Sequence, residues 1–219
     1  MTLLDRLKRY AGRVAPRRRG SAPAEIPPLR PTRCGGLEEF QRFLAETGAA
    51  RAEQAACEAS LLRPDDPFAV PGVCAVCRAP TEFQVGYAHC FVRPDGARVP
   101  NWREHLSCPG CGLNNRMRAA FHFMQERVDR AGSLYLTEQV TPLFRAVSAR
   151  FDRAAGSEFL RDGTRPGAVN AAGIRHEDLT ALTFPDRSFD SIGCFEVLEH
   201  IPDHRPAVAE LFRCLAPGG

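Results

Sequence analysis

The sequence predicts an α/β protein in which helices and a small ribbon precede a parallel sheet. From Ser133 onward, short apolar runs alternate with helical patterns, which is typical of a parallel sheet. Residues 37–62 place apolar side chains at helical spacing, with Gly48 as a break between two helices. Two Cys-x-x-Cys pairs flank a segment of strand-forming residues, which indicates a ribbon.

Composition restricts the compartment and the class of partner. The chain has 219 residues, a net charge of +3 and an apolar share of 44%. That charge is too small to predict a nucleic-acid partner, and no apolar run reaches the ~18 to 20 residues that span a bilayer. There is no secretory pattern behind the basic N-terminus. Nine cysteines, four of them in close pairs, favour metal thiolates in a reducing cytoplasm over a disulfide framework.

Changes in composition predict four segments. Residues 1–32 form a basic amphipathic stretch and a proline-rich linker, 33–70 are helical, 71–131 hold the ribbon and a following helix, and 132–219 hold the α/β domain. Residues 1–19 put apolar side chains on one helical face and arginines on the other. This pattern is compatible with peripheral contact with an anionic membrane, or with a basic tail that docks on its own protein.

The cysteine pairs predict a structural zinc site. Cys74 and Cys77 form one pair, and Cys108 and Cys111 form the other, which is followed by Gly112. Each pair points two thiolates to one side of a tight knuckle, and a tetrahedral zinc needs two facing knuckles. Glycine after the last cysteine permits a left-handed turn. The segment between the pairs should form a hairpin around Pro-Asp-Gly at 94–96.

Other interpretations of this module remain open at this level. The pairs could be redox-active, and His89 or Cys90 could compete as a ligand. Arg116 and Arg118, at the start of the helix after the ribbon, could hold an acidic substrate group, or they could be solvated or paired locally.

The strands and helices of the α/β part follow from apolar runs and caps. Thr141 and Pro142 predict a helix start, because threonine caps and proline suits the first helical position. The predicted strands cover residues 133–138, 155–160, 172–178 and 189–195, with helices at 142–151 and 206–215.

Several motifs in this part occur together in one family. Residues 182–190 read Leu-Thr-Phe-Pro-Asp-Arg-Ser-Phe-Asp, residues 196–200 read Glu-Val-Leu-Glu-His, and the chain ends in Leu-Ala-Pro-Gly-Gly. This combination resembles the type-11 group of class I S-adenosylmethionine-dependent methyltransferases. The resemblance implies a Rossmann-like, doubly wound sheet with strand order 3-2-1-4. It also implies that the domain is truncated here after its fourth strand-helix unit, which would leave an apolar strand at the edge and favour self-association.

The resemblance also implies which residues bind the cofactor S-adenosylmethionine. Glu158, at the end of the second strand, would accept hydrogen bonds from the ribose hydroxyls, and Asp178 would accept from the adenine amino group. Glu138 would be the acidic residue of the first loop. The family's first loop is rich in glycine, whereas residues 137–142 here contain none.

The Glu-x-x-Glu-His segment gives two further hypotheses. His200 would act as a general base or line the acceptor site. Alternatively, Glu196, Glu199 and His200 would share one face of a helical turn and hold Mg²⁺ or Mn²⁺.

The sequence therefore predicts a methyltransferase fused to a zinc ribbon. Its methyl acceptor is not identified by the sequence, and analogy with the fold suggests a small molecule or a sugar. The alternative is a catalytically inactive methyltransferase-like domain that serves as a binding module through its ribbon. The glycine-free first loop favours the alternative. The enzyme is favoured by the presence of Glu158, Asp178 and the Glu199-His200 pair.

Overall fold

A computed structural model describes residues 26–28, 32–64 and 66–219. The predicted basic segment at 1–19 lies outside the described residues, as does most of the proline-rich linker. Within the described part the chain divides into two compact units. One comprises residues 26–110 and 114–116, and the other comprises residues 111–113 and 117–219. The predicted domain boundaries at residues 32, 70 and 131 stay predictions.

Two helices open the first unit. Helix α1 spans Leu37–Glu46 and helix α2 spans Gly48–Ser60, so the predicted break near Gly48 is confirmed. Thr47 lies between them, and both its backbone N–H and its hydroxyl donate to the carbonyl oxygen of Phe43, at 3.0 and 2.7 Å. These bonds satisfy a carbonyl at the end of α1 that has no partner within the helix.

The ribbon is built on an antiparallel hairpin. Strand β1 spans Phe68–Cys74 and strand β2 spans Ala79–Val85, with Phe68 opposite Val85 and Cys74 opposite Ala79. The first cysteine knuckle is therefore the turn of this hairpin, a position that the sequence did not predict. The side chains that form its small core are Phe68, Val70, Val85, Tyr87 and Trp102.

A second, shorter hairpin follows. Strand β3 is Phe91–Val92 and strand β4 is Arg98–Val99, paired antiparallel around the predicted Pro-Asp-Gly turn. Gly96 has a φ of 81°, a conformation that glycine adopts without steric cost. Helix α3, Asn115–Arg127, then buries Met117, Phe121 and Met124, which recur at helical spacing.

A three-stranded parallel sheet forms the core of the second unit. Strand β5, Ser133–Leu136, lies at its centre, with β6, Arg153–Gly156, on one side and β7, Ser191–Gly193, on the other. All four residues of β5 are buried, as expected of a central strand covered on both faces. The buried Tyr135 stacks on Phe189 with ring centroids 5.1 Å apart, and its hydroxyl forms a 2.6 Å hydrogen bond with Ser157.

The predicted third strand does not form as a continuous strand. Within residues 172–178, a single parallel bridge joins His176 to Glu158, beside β6, and an antiparallel bridge joins Arg175 to Val169. The backbone N–H of Arg175 donates instead to the side chain of Gln139, at 2.8 Å. A parallel ladder would need that N–H to continue before the bridge. After the bridge it would need the N–H of Leu160, which donates to Nδ1 of His176 at 2.8 Å, so pairing stops at one bridge. The second strand also differs, since β6 begins and ends earlier than residues 155–160.

Two helices flank the sheet. Helix α4 spans Pro142–Ser148, and the predicted cap is confirmed because the Thr141 hydroxyl accepts the N–H of Phe144 at 3.1 Å. Helix α5 spans Arg205–Cys214. Its Arg213 donates to the carbonyl oxygens of Leu182 and Phe184, which holds the preceding loop against the helix. No helix in the described residues is long and apolar enough to cross a membrane.

Asp190 connects the starts of β5 and β7. Its Oδ2 accepts from the backbone N–H and the hydroxyl of Ser133, both at 2.7 Å, and its own N–H donates to that hydroxyl oxygen at 3.0 Å. These two donors lower the pKa of Asp190 below its ordinary value. A lowered pKa means that the folded state favours the ionised carboxylate.

We predict that Asp190→Asn lowers the melting temperature at pH 7 by a few degrees, on the order of 2–4 °C. The stabilisation by Asp190 is present above its unfolded pKa and is lost as pH falls through its lowered folded pKa. The difference between parent and variant should therefore shrink below about pH 4. Asp152→Asn, at an exposed carboxylate, is the control. A difference that stays constant from pH 7 to pH 3 would contradict this role.

Candidate functional site

The predicted cofactor-binding carboxylates follow successive strands of the sheet. Glu138 comes after β5, Glu158 after β6, and Asp178 after the His176 bridge. Because these strands are parallel, their carboxyl ends meet at one edge of the sheet, where open α/β sheets bind ligands.

Glu158 holds the loop that follows β5. Its Oε1 accepts the backbone N–H groups of Gln139 and Val140, at 2.8 and 2.9 Å. Charge-assisted bonds of this kind are stronger than neutral ones, so the loop is fixed to the carboxylate. In the described part of the chain, no donor reaches Oε2, and the side chain is half-buried. One oxygen of Glu158 is therefore structural and the other can accept from a ligand.

Asp178 has the same division of roles. Its Oδ1 accepts the N–H and the hydroxyl of Thr180, at 2.9 and 2.7 Å, which fixes the side chain. Its Oδ2 receives no hydrogen bond from any described residue, and the residue is half-buried. Asp178 can thus offer one acceptor at the same edge of the sheet as Glu158.

The neighbouring Glu177 is purely structural. Its side chain is fully buried, and its Oε1 pairs with the guanidinium of Arg175 at 2.6 Å and accepts the hydroxyl of Thr183 at 2.7 Å. Its Oε2 accepts the N–H of Thr183 at 2.9 Å. Both oxygens are used inside the protein, as a buried carboxylate requires. Arg175 also covers the Phe184 ring at 4.3 Å.

Glu138 is 8% exposed and lies near the end of β7. Burial raises the pKa of the Cys194 thiol there, and the charges of Glu199 and Glu138 raise it further. A thiol with a raised pKa is mostly protonated at neutral pH. Sequence reasoning did not single out Cys194, because a lone cysteine after a strand has no distinctive spacing.

Gln139 is the residue at this edge that sequence reasoning missed most clearly. Its Nε2 donates to the carbonyl oxygen of Gly173 at 2.9 Å, and its Oε1 accepts the N–H of Arg175 at 2.8 Å. The side chain thus crosses from the loop after β5 to the segment beside β6. The feature of the sequence that could have indicated this role is a long amide side chain in a loop where the resemblance implies glycine.

The predicted face formed by Glu196, Glu199 and His200 does not exist. Only Leu198–His200 is helical, as one 3-10 turn, and Glu196 has a left-handed φ of 55°. A shared face at these spacings needs one continuous α-helical turn. Among the described residues, the four cysteines form a cluster of metal-ligating side chains and this segment does not. His200 is exposed, and its catalytic role stays a prediction.

The four predicted zinc ligands lie together. The sulfur atoms of Cys74, Cys77, Cys108 and Cys111 are all within 4.8 Å of one another, and those of Cys77 and Cys108 are 3.8 Å apart. Tetrahedral zinc with Zn–S bonds of ~2.3 Å separates its sulfurs by about 3.8 Å. The cluster therefore has the ligand type and the size that a tetrahedral thiolate site needs.

Backbone geometry brings the sulfurs together. The N–H of Cys77 points to the sulfur of Cys74 at 3.4 Å, and Gly112 has a φ of 73°, so the predicted left-handed turn is confirmed. A Cβ at Gly110 would lie 3.2 Å from the Cys77 sulfur and 3.6 Å from the Cys108 sulfur. Glycine at position 110 thus lets the backbone approach the cluster.

The competing ligands are placed elsewhere. His89 is exposed, and the Cys90 sulfur accepts a 3.5 Å hydrogen bond from Arg98. Neither belongs to the cluster of described ligands. Arg116 pairs with Glu104 at 3.0 Å, so the local pairing that was one of its two interpretations is confirmed.

Comparison with known proteins finds similarity for part of the second unit. Residues 145–219 match the family described as "Methyltransferase domain". A Mycolicibacterium smegmatis protein named a probable S-adenosylmethionine-dependent methyltransferase is 48% identical over 46 residues, which are 21% of this chain and 18% of that protein. The chain thus spans less than a fifth of the length of that relative. These matches support a class I methyltransferase domain. The family match includes Glu158 and Asp178, but it does not include Glu138 or the four cysteines of the cluster.

We predict that the adjacent carboxylates Glu177 and Asp178 respond differently to substitution. Glu177→Ala leaves Arg175 without its buried partner and should lower the free energy of unfolding by about 2–4 kcal/mol. This loss is smaller than that expected for a fully buried ion pair, because Arg175 is 28% exposed and water screens its charge. Asp178→Ala should cost only about 1 kcal/mol, because it removes bonds to the neighbouring Thr180. Urea denaturation of both variants measures the difference. Equal losses would contradict the separate roles.

Proposed function

We propose that the protein is an S-adenosylmethionine-dependent methyltransferase whose Rossmann-like sheet binds the cofactor at the carboxyl ends of its strands. One observation carries the proposal. Glu158 and Asp178 each use one carboxylate oxygen inside the protein and present a second oxygen that no described residue occupies. Adenosine offers vicinal hydroxyls and an exocyclic amino group, which are the donors that two such oxygens can accept.

The roles of the residues follow from the chemistry of the cofactor. S-adenosylmethionine supplies an activated methyl group on its sulfonium, so the protein mainly has to position it against an acceptor. Glu158 would hold the ribose hydroxyls and Asp178 the adenine amino group, while Glu138 would be the acidic residue of the first loop. For a hydroxyl acceptor, the exposed His200 would remove the proton. As the methyl acceptor we propose a small molecule or a sugar, by analogy with other proteins of this fold.

A second candidate function is supported by the loop after β5. Its Gln139 and Val140 N–H groups are already bound to Glu158, so they are not directed at a cofactor carboxylate. A methyltransferase-like domain with such a loop could serve as a binding module without catalysis. Binding of the cofactor separates the two functions, because only the enzyme requires it.

We also propose that the cysteine cluster binds a structural zinc ion. Four thiolates fill all positions of a tetrahedral ion, which leaves none for a substrate. Cys74 and Cys108 are buried, so the ion would be shielded from water on their side and would add to the small hydrophobic core of the ribbon. We propose that the protein is cytoplasmic, because thiolates persist in a reducing compartment.

We predict that the full chain binds S-adenosylhomocysteine and that Glu158→Ala weakens this binding more than ten-fold, because two hydroxyls lose a charged acceptor. Isothermal titration calorimetry measures both affinities. The control is Asp152→Ala, an exposed carboxylate in the same unit, which should bind like the parent. A parent protein that does not bind would favour the inactive binding module. Equal binding by parent and Glu158→Ala would reject this placement of the ribose.

For the metal, we predict about one zinc per chain in protein purified without chelator. Structural zinc contributes folding free energy on the order of 10 kcal/mol, so Cys108→Ser should unfold the ribbon and lose the zinc. Cys57→Ser, at an exposed cysteine outside the cluster, should retain both. Elemental analysis and circular dichroism give the two readouts. Protein that is folded and free of zinc would contradict the site.

A further inference from the structure

We propose that Gln139 is a positioning residue of the cofactor site, and that it acts by fixing which oxygen of Glu158 faces the ligand. This inference rests on the proposed function, since it assigns a role within the same site. Gln139 itself would not touch the cofactor.

Gln139 joins three segments at the carboxyl edge of the sheet. Its backbone N–H donates to Glu158 at 2.8 Å, its side-chain nitrogen donates to Gly173, and its side-chain oxygen accepts from Arg175. The residue is half-buried, which limits competition from water for these bonds. Through its side chain, the loop after β5 is therefore fixed relative to the segment that leads to Asp178.

The loop after β5 does not obtain its shape from glycine or from left-handed backbone angles. Residues 137–142 contain no glycine, and none of the described residues with positive φ falls among them. A glycine-rich loop obtains its shape from left-handed φ angles, whereas this loop needs contacts from side chains. Contacts that hold it include the Glu158 carboxylate, the Gln139 amide, the Thr141 cap and the 3.1 Å bond from the Thr137 N–H to the carbonyl oxygen of Gly193.

The orientation of Glu158 depends on these contacts. Two N–H groups from adjacent residues meet the same oxygen, at 2.8 and 2.9 Å, which uses both lone pairs of Oε1. Only Oε2 then remains to accept from a ligand. If the Gln139 side chain is removed, the loop loses its attachment to Gly173 and Arg175, and the carboxylate can rotate between several orientations. Ligand binding must then fix the carboxylate in one orientation, and the entropy lost in doing so weakens binding.

The test is a double-mutant cycle measured by calorimetry on the full chain with S-adenosylhomocysteine. We expect Gln139→Ala to weaken binding by about 3–10-fold and to lose this effect in a Glu158→Ala background, because coupled residues are not additive. Gln139→Met, which keeps the length of the side chain but has no hydrogen-bonding group, should match Gln139→Ala and provides a second variant if alanine impairs folding. Gln125→Ala, at an exposed helical glutamine, is the control.

Each outcome identifies which claim fails. If the parent does not bind, the proposed function fails and the inference fails with it. If the parent binds and both Gln139 variants bind equally well, only the inference fails. If Gln139→Ala weakens binding to the same degree with and without Glu158, then Gln139 does not act through Glu158 and the inference is wrong. Melting temperatures recorded for every variant separate loss of binding from loss of folding.

Discussion

The two hydrogen bonds from the Gln139 and Val140 amides to Glu158 determine the architecture of the candidate site. They connect the end of β5 with the end of β6 through a carboxylate side chain, and so fix a loop that lacks glycine. They also consume one carboxylate oxygen and leave the other for a ligand. The Gln139 side chain extends the connection to Arg175, so that three neighbouring segments of the sheet share one set of contacts.

The carboxylates at this edge of the sheet differ in burial and in hydrogen bonding, and these differences determine their roles. Glu177 is fully buried and must have every oxygen paired, so it stabilises the fold through Arg175 and Thr183. Asp178, one residue further, is half-buried and uses only one oxygen for its own turn. Its second oxygen accepts no hydrogen bond from a described residue. The same reasoning separates Glu158 from Glu177, and it explains why adjacent acidic residues need not share a role.

Local features of this protein were predictable from its sequence, and long-range ones were not. The spacing of the cysteines and the Thr141 cap depend on residues close in sequence, and the structure has both. The third strand was predicted wrongly because Arg175 bonds to Gln139, a residue far away in the sequence. The left-handed Glu196 broke a helical turn that its sequence pattern favoured. Apolar patterns reveal strands, but they do not reveal which side chain competes for a backbone N–H.

Backbone amide shifts in an NMR titration test the central claim most directly, because they locate the ligand without any substitution. With S-adenosylhomocysteine added to the isotopically labelled full chain, the account predicts the largest shifts at the carboxyl edge of the sheet. These are the amides of Gln139 and Val140, which bond to Glu158, and those of Phe159 and Leu179, which follow the two carboxylates. Shifts confined to the ribbon, or no shifts at saturating ligand, would contradict a cofactor site at this edge.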